Sequence, residues 1–197
     1  MPCDLPLFPP ASFFEISVHI LHIDACKQPH PLPSTDFLLP EESFASFGAA
    51  WSKTGLFFHV ATHHKKEDTE EDSVEIFIDT RDLKTHSMTR FCHHFFFSPE
   101  QKEGKEITSH AFPHDREKVS AHLLLIEAIV DRGNYEMKIK IPKEALFGYD
   151  STLGKIGLSY RINTSKGRSQ HFTPSSDFFP IETTPFLWPT IYLKGET

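Results

Sequence analysis

Apolar and polar residues alternate at a period of two through much of this chain, the spacing of strands rather than helices. In Asp72-Ser-Val-Glu-Ile-Phe-Ile-Asp79, Val74, Ile76 and Ile78 fall on one face and Glu75, Phe77 and Asp79 on the other, which predicts a half-buried strand over 74–80. Residues 13–20 read as an opening strand and 90–97 as the strand after the Thr80-Arg-Asp82 turn. Strands over 43–51 and 56–63 flank Ser52-Lys-Thr-Gly55, where Gly55 can take the positive φ of a tight hairpin. Asp131-Arg-Gly-Asn134 joins strands over 122–130 and 135–141 in the same way. Pro142 ends that strand and opens one helical turn over 143–147, with Gly148 as its terminator. Strands over 156–162, 169–173 and 190–193 complete a set of roughly nine or more, the pattern of an all-β antiparallel β-sandwich with one short helical turn. Val74, Ile76, Ile78, Leu124, Ile126, Ile139 and Ile141 are its expected core.

Between these elements, Pro29, Pro31, Pro33 and Pro40 prevent continuous pairing over 25–40, so that segment runs over the surface. Residues 65–72 form a charged connection. The polar insertion over 98–120 is long enough to serve as a lid or rim. No repeat or second core is visible, so residues 1–197 form one domain, with 1–12 as an extended N-terminal arm.

Nineteen Phe and four Tyr reinforce the strand reading, since aromatic side chains suit a pleated, half-buried surface. A net charge of −7 without a run of Lys and Arg argues against nucleic acid as a partner. Cys3, Cys26 and Cys92 show no CxxC spacing, so neither a disulfide framework nor a zinc ribbon is expected. The start has no basic segment before an apolar run and no stretch is long enough to span a bilayer, which predicts a cytoplasmic chain without a membrane partner.

The 72–79 strand, the Arg90-Phe-Cys-His-His-Phe-Phe-Phe97 block, Gly133-Asn-Tyr-Glu-Met-Lys-Ile-Lys-Ile-Pro142, Gly154-Lys-Ile-Gly-Leu-Ser-Tyr160 and Phe186-Leu-Trp-Pro-Thr-Ile-Tyr-Leu193 follow one another in a definite order. In content and order they resemble the family 9 carbohydrate-binding modules and the wider DOMON-like group, and within these a bacterial subgroup with an Asp-Thr-Arg-Asp turn and a Phe-Cys-His block. The resemblance covers the chain from about residue 43 onward. It implies a β-sandwich that binds a sugar by aromatic platforms and, in some members, carries structural calcium or haem.

Candidate chemistry is sparse. Thirteen histidines invite a metal, but His93 and His94 must face opposite ways, and His59 and His63 lie about 13 Å apart at strand rise. Met88, Met137 and the histidines carry atoms suited to haem iron, yet no spacing selects a pair. The acidic run over 67–72 lacks the glycine turn of a calcium loop and reads as a solvated connection. No cofactor or metal is therefore expected.

Glu75 and Asp79 share a face as ordinary strand decoration, and no nucleophile elbow, phosphate loop or metal-hydrolase motif occurs. The most distinctive cluster is Arg81, Asp82, His86, Arg90 and His93, with Trp188 as an aromatic wall. Its guanidinium forks and carboxylate suit a polar ligand, while the structural reading is a turn locked by Arg81 and Asp82. Trp51 and Trp188, the two tryptophans, are also candidates to cap the core. The expected function is non-catalytic binding of a carbohydrate or other small polar ligand. The alternative is a protein-interaction module that uses the 98–120 loop.

Overall fold

The computed structural model describes residues 16–25, 28–34, 42–63, 72–108, 116–131, 133–173 and 179–195. Strands β3 (Ala45–Ser52) and β4 (Gly55–Thr62) form the expected hairpin. Gly55 has φ 145°, and a Cβ there would stand 2.2 Å from the Ile141 carbonyl oxygen. The other strands are β1 (Ser17–His22), β2 (His30–Pro31), β5 (Ser73–Asp79), β6 (Cys92–Phe97), β7 (Lys105–Glu106), β8 (Ile126–Asp131), β9 (Asn134–Pro142), β10 (Lys155–Asn163), β11 (Ser169–His171) and β12 (Thr190–Lys194). Single 3₁₀ turns replace the predicted helical turn and punctuate the connections, among them Lys143–Ala145.

The strands join into one hydrogen-bonded path, β7-β6-β5-β10-β12-β1-β3-β4-β9-β8, with β11 on β10 and β2 on β3. Among these, β1 runs parallel to both β12 and β3, which an all-antiparallel expectation did not include. The path curls over one core, because residues from both of its ends pack together: Ile76 and Phe95 from one, Ile126 and Ile139 from the other. Phe47 on β3 stacks on Tyr160 on β10 with ring centroids 4.1 Å apart, although β12 and β1 lie between those strands in the path.

Every residue of the expected core set is buried. Ile76 has no exposed surface, so Ile76→Ala, which removes buried carbon and leaves a cavity, is expected to cost about 2–5 kcal/mol in denaturant unfolding. A change near zero would place Ile76 outside the core.

Strand β5 departs from its half-buried expectation: every one of its residues is buried. Its second face is covered by a layer in which Phe77 and Cys92 pack with Ile181, Phe186, Leu187 and Trp188. That cover comes from more than a hundred positions away, so local periodicity carries no sign of it.

The long insertion is tied down where it is described. Its strand β7 pairs with β6, Gly104 N–H donates to the Leu124 carbonyl at 2.7 Å, and Ile107 N–H donates to that of His94 at 2.8 Å. Its residues 109–115 lie outside the described residues, as do the 1–12 arm, the acidic positions 67–71, Cys3 and Cys26. Asp72, at the end of the acidic run, accepts a hydrogen bond from Ser165 N–H at 2.8 Å. No helix among the described residues is long and apolar enough to cross a membrane.

Candidate functional site

Strand register assembles a row of side chains that alternation alone cannot. Lys105 is opposite Phe96, Phe96 opposite Glu75, Glu75 opposite Arg161, and Arg161 opposite His171, across β7, β6, β5, β10 and β11. Directly opposed residues place their side chains on the same face of a sheet, so these form one line on the face of β5 that Val74, Ile76 and Ile78 do not occupy. Adjacent rows add His94 opposite Phe77 and Asn163 opposite Ser73.

Glu75 is the centre of this surface. Its Oε2 accepts from His94 Nε2 at 2.6 Å and from Arg161 Nη2 at 2.8 Å, and its Oε1 accepts from Arg161 Nε at 3.0 Å and Asn163 Nδ2 at 2.8 Å. Arg161 thus grips the carboxylate with a planar fork, and its Nη1 reaches out to Glu182. Burial pushes the Glu75 carboxyl up, but the His94 hydrogen bond and the Arg161 guanidinium outweigh it and hold Glu75 below the usual carboxylate range. The group is therefore a fixed anion near neutral pH.

Arg161 and Phe96 are only half-buried, and Lys105, whose Nζ lies 4.6 Å from the centre of the Phe96 ring, is exposed. The surface offers a half-exposed aromatic face beside the Arg161 guanidinium, while the Glu75 carboxylate and the Asn163 amide are held by their neighbours and fix that guanidinium in place. A pyranose takes a ring under its apolar side and a charged donor on its hydroxyls, which Phe96 and Arg161 can supply.

The residues singled out from sequence are placed differently. Asp79 accepts from Arg81 N–H at 3.0 Å and Leu83 N–H at 2.7 Å, which fixes the turn. Asp82 adopts φ 50° and is buried. It pairs with Lys84 at 2.8 Å and Lys155 at 3.3 Å and accepts from Thr190 Oγ1 at 2.9 Å. Its partners are thus two lysines and a threonine, rather than Arg81. A Cβ on Gly157 would stand 3.2 Å from Asp79 Cβ and 3.3 Å from the Asp82 carboxylate, so β10 passes close to this turn.

Arg81 lies over the Phe91 ring at 5.5 Å, Arg90 over that of Phe147 at 4.4 Å, and His86 edges against Phe186 at 4.8 Å. Of these, His86 and Arg90 are exposed. His93 and Trp188, by contrast, have no exposed surface. The expectation that Trp188 forms a ligand-facing wall is corrected: its Nε1–H donates to the Ile181 carbonyl at 2.8 Å, and its ring lies in the layer over Phe77. His93 is corrected likewise, since its Nδ1 lies 2.8 Å from Glu106 and its ring stacks on Phe95 inside the molecule. Trp51 caps the core, with its Nε1–H on the Lys194 carbonyl at 3.0 Å.

Other hollows are less suited to a polar ligand. A groove of about 470 Å³ runs along the far end of the sheet between Pro29, Phe57, His59, Ile126 and Lys140, and its lining is mostly carbon. A second, of about 420 Å³, is lined by His93 and Arg116, whose Nδ1 and Nη atoms engage Glu106.

The family model described as carbohydrate family 9 binding domain-like matches residues 41–196. The chain belongs to that family. Among solved structures, a family 9 carbohydrate-binding module from Caldicellulosiruptor kristjanssonii in complex with cellotriose shares 13% identity. That likeness covers 92% of this chain and 95% of the other at a TM-score of 0.65. The same kind of module in complex with glucose matches with a TM-score of 0.65 at 13% identity, over 92% and 97% of the two chains. No curated protein matches the chain.

For this family 9 chain, sequence reasoning passed over Glu75, Phe96, His94, Arg161 and Asn163. The two-residue period did put Glu75 opposite the core side of β5. The lateral neighbours depend on register across five strands, which no local pattern states.

Proposed function

We propose that the chain is a non-catalytic carbohydrate-binding domain and that its sugar lies on the Phe96, Glu75 and Arg161 row. The observation that carries this reading is the convergence of His94, Arg161 and Asn163 on one buried carboxylate beside a half-exposed aromatic ring. Membership of the family supports the class of ligand, and the structures solved with cellotriose and glucose supply the probes. The same reading takes the curled sheet as a two-layer β-sandwich, supported by the contact of Phe47 with Tyr160 across the core.

Calorimetry with cellotriose tests the site. Phe96→Ala removes the platform without breaking the Glu75 network, so binding is expected to weaken by about tenfold, the scale of one aromatic stacking contact. The unfolding midpoint should move little. Cellotriose binding that is unaltered in Phe96→Ala would move the site elsewhere on the molecule.

A further inference from the structure

The proposed site already holds a carboxylate at the place where a ligand would arrive. Arg161 directs Nε and Nη2 to Glu75 and Nη1 to Glu182. The two carboxylates are not equivalent. Glu75 is buried and is also bonded by His94 and Asn163, so it is a permanent part of the floor. Glu182 belongs to no strand, sits in the covering segment, and keeps 29% of its side chain exposed. Among the described residues, Glu182 makes one hydrogen bond and is the more exposed of the two carboxylates, so it is the one a ligand can displace.

The charges along the row say what would take its place. With Glu182 seated, Arg161 pairs with both Glu75 and Glu182 while Lys105 lies over the Phe96 ring, so the four charged side chains sum to no net charge. Once Glu182 leaves, one cation is unmatched. A neutral sugar cannot restore that balance, whereas a ligand carboxylate can, by accepting from the Nη1 that now holds Glu182.

We infer that this site takes an acidic sugar, a uronic acid unit whose carboxylate replaces Glu182 on Arg161 while its ring rests on Phe96. Lys105, on a flexible and exposed stem, moves off the ring and adds a second cation to the bound anion. The inference rests on the reading of this row as the sugar site, and it narrows the ligand class.

Calorimetry on the full chain with methyl β-D-glucuronide, methyl β-D-glucoside and cellotriose tests it. The glucuronide is expected to bind about tenfold or more tightly than the glucoside, as charged hydrogen bonds allow, and to lose affinity as salt is added. Glu182→Gln removes the competing negative charge from Nη1, leaving only a neutral amide oxygen there, and should tighten glucuronide binding by up to about fivefold. Arg161→Lys, which keeps the charge and loses the fork, should weaken it by about tenfold. Binding of the neutral sugars at equal or higher affinity overturns the acidic-sugar inference and leaves the sugar site standing. Binding of no sugar overturns both, and weaker glucuronide binding in Glu182→Gln makes Glu182 a ligand contact and also overturns the displacement.

Discussion

Arg116→Ala is expected to destabilise the protein by about 3–5 kcal/mol, because it strips a buried carboxylate of its cation. Glu106, with no exposed side-chain surface, accepts from Arg116 Nη2 at 2.6 Å and from Val119 N–H at 2.9 Å, and lies 2.8 Å from His93 Nδ1. A carboxylate only accepts, so the His93 proton sits on Nδ1. These bonds tie both described ends of the long insertion to β6. Burial alone pushes the Glu106 carboxyl up, but the hydrogen bonds from His93 and Arg116 outweigh it and bring it down to about 2.

A carboxyl lowered on folding stabilises fully above its ordinary value of 4.5, and this contribution is lost as pH falls through about 2. Burial also holds His93 below its ordinary 6.5, so its contribution is complete above that pH and declines in acid. Denaturant titrations from pH 7 to pH 3 should therefore show wild-type stability falling in two stages. Arg116→Ala should be less stable already at pH 7, with a shallower loss below pH 4.5, since Glu106 would titrate closer to its ordinary value. A variant as stable as wild type at pH 7 would mean that Glu106 is not sealed from water.

How much of this was readable beforehand divides along the line between local and crossing interactions. Val74, Ile76 and Ile78 were legible as core residues because the side-chain period of a strand is set by the backbone alone. Gly55 marked its hairpin because few other residues tolerate its φ. The opposed faces of His93 and His94 follow from the same period, and the structure puts His93 on Phe95 and His94 on Phe77.

What was not legible depends on distant partners. Asp82 carried the signature of a polar ligand group, yet Lys155 and Thr190 engage it from strands far along the chain. Glu75 looked like solvent-facing decoration until Arg161 and Asn163 were brought beside it by β10. The insertion over 98–120 read as a lid, and its charged residues Glu106 and Arg116 instead anchor its ends. In each case the residue types were visible and the pairing was not, because pairing is decided by register and topology.

Trp188→Ala should cost about 3–5 kcal/mol in stability, the range for deleting a large buried aromatic side chain. Trp188 has no exposed surface, and the segment that carries it holds the outer face of β5 away from water through Phe77, Ile181, Phe186 and Leu187. Its loss would open a cavity under the 3₁₀ turn Pro185–Leu187 and leave the Ile181 carbonyl without the indole N–H. The same segment carries Glu182 to Arg161, so loosening it should also expose the row of Phe96, Glu75 and Arg161. Trp188→Phe retains most of the buried area but not the N–H, and should cost less, about 1–2 kcal/mol. Denaturant unfolding of the two variants, read by the fluorescence of the remaining Trp51, separates these contributions. A tryptophan that served as an exposed wall for ligand would instead show Trp188→Ala with an unfolding midpoint close to that of the wild type and a weakened affinity for cellotriose, an outcome that would return Trp188 to the binding surface and remove it from the core.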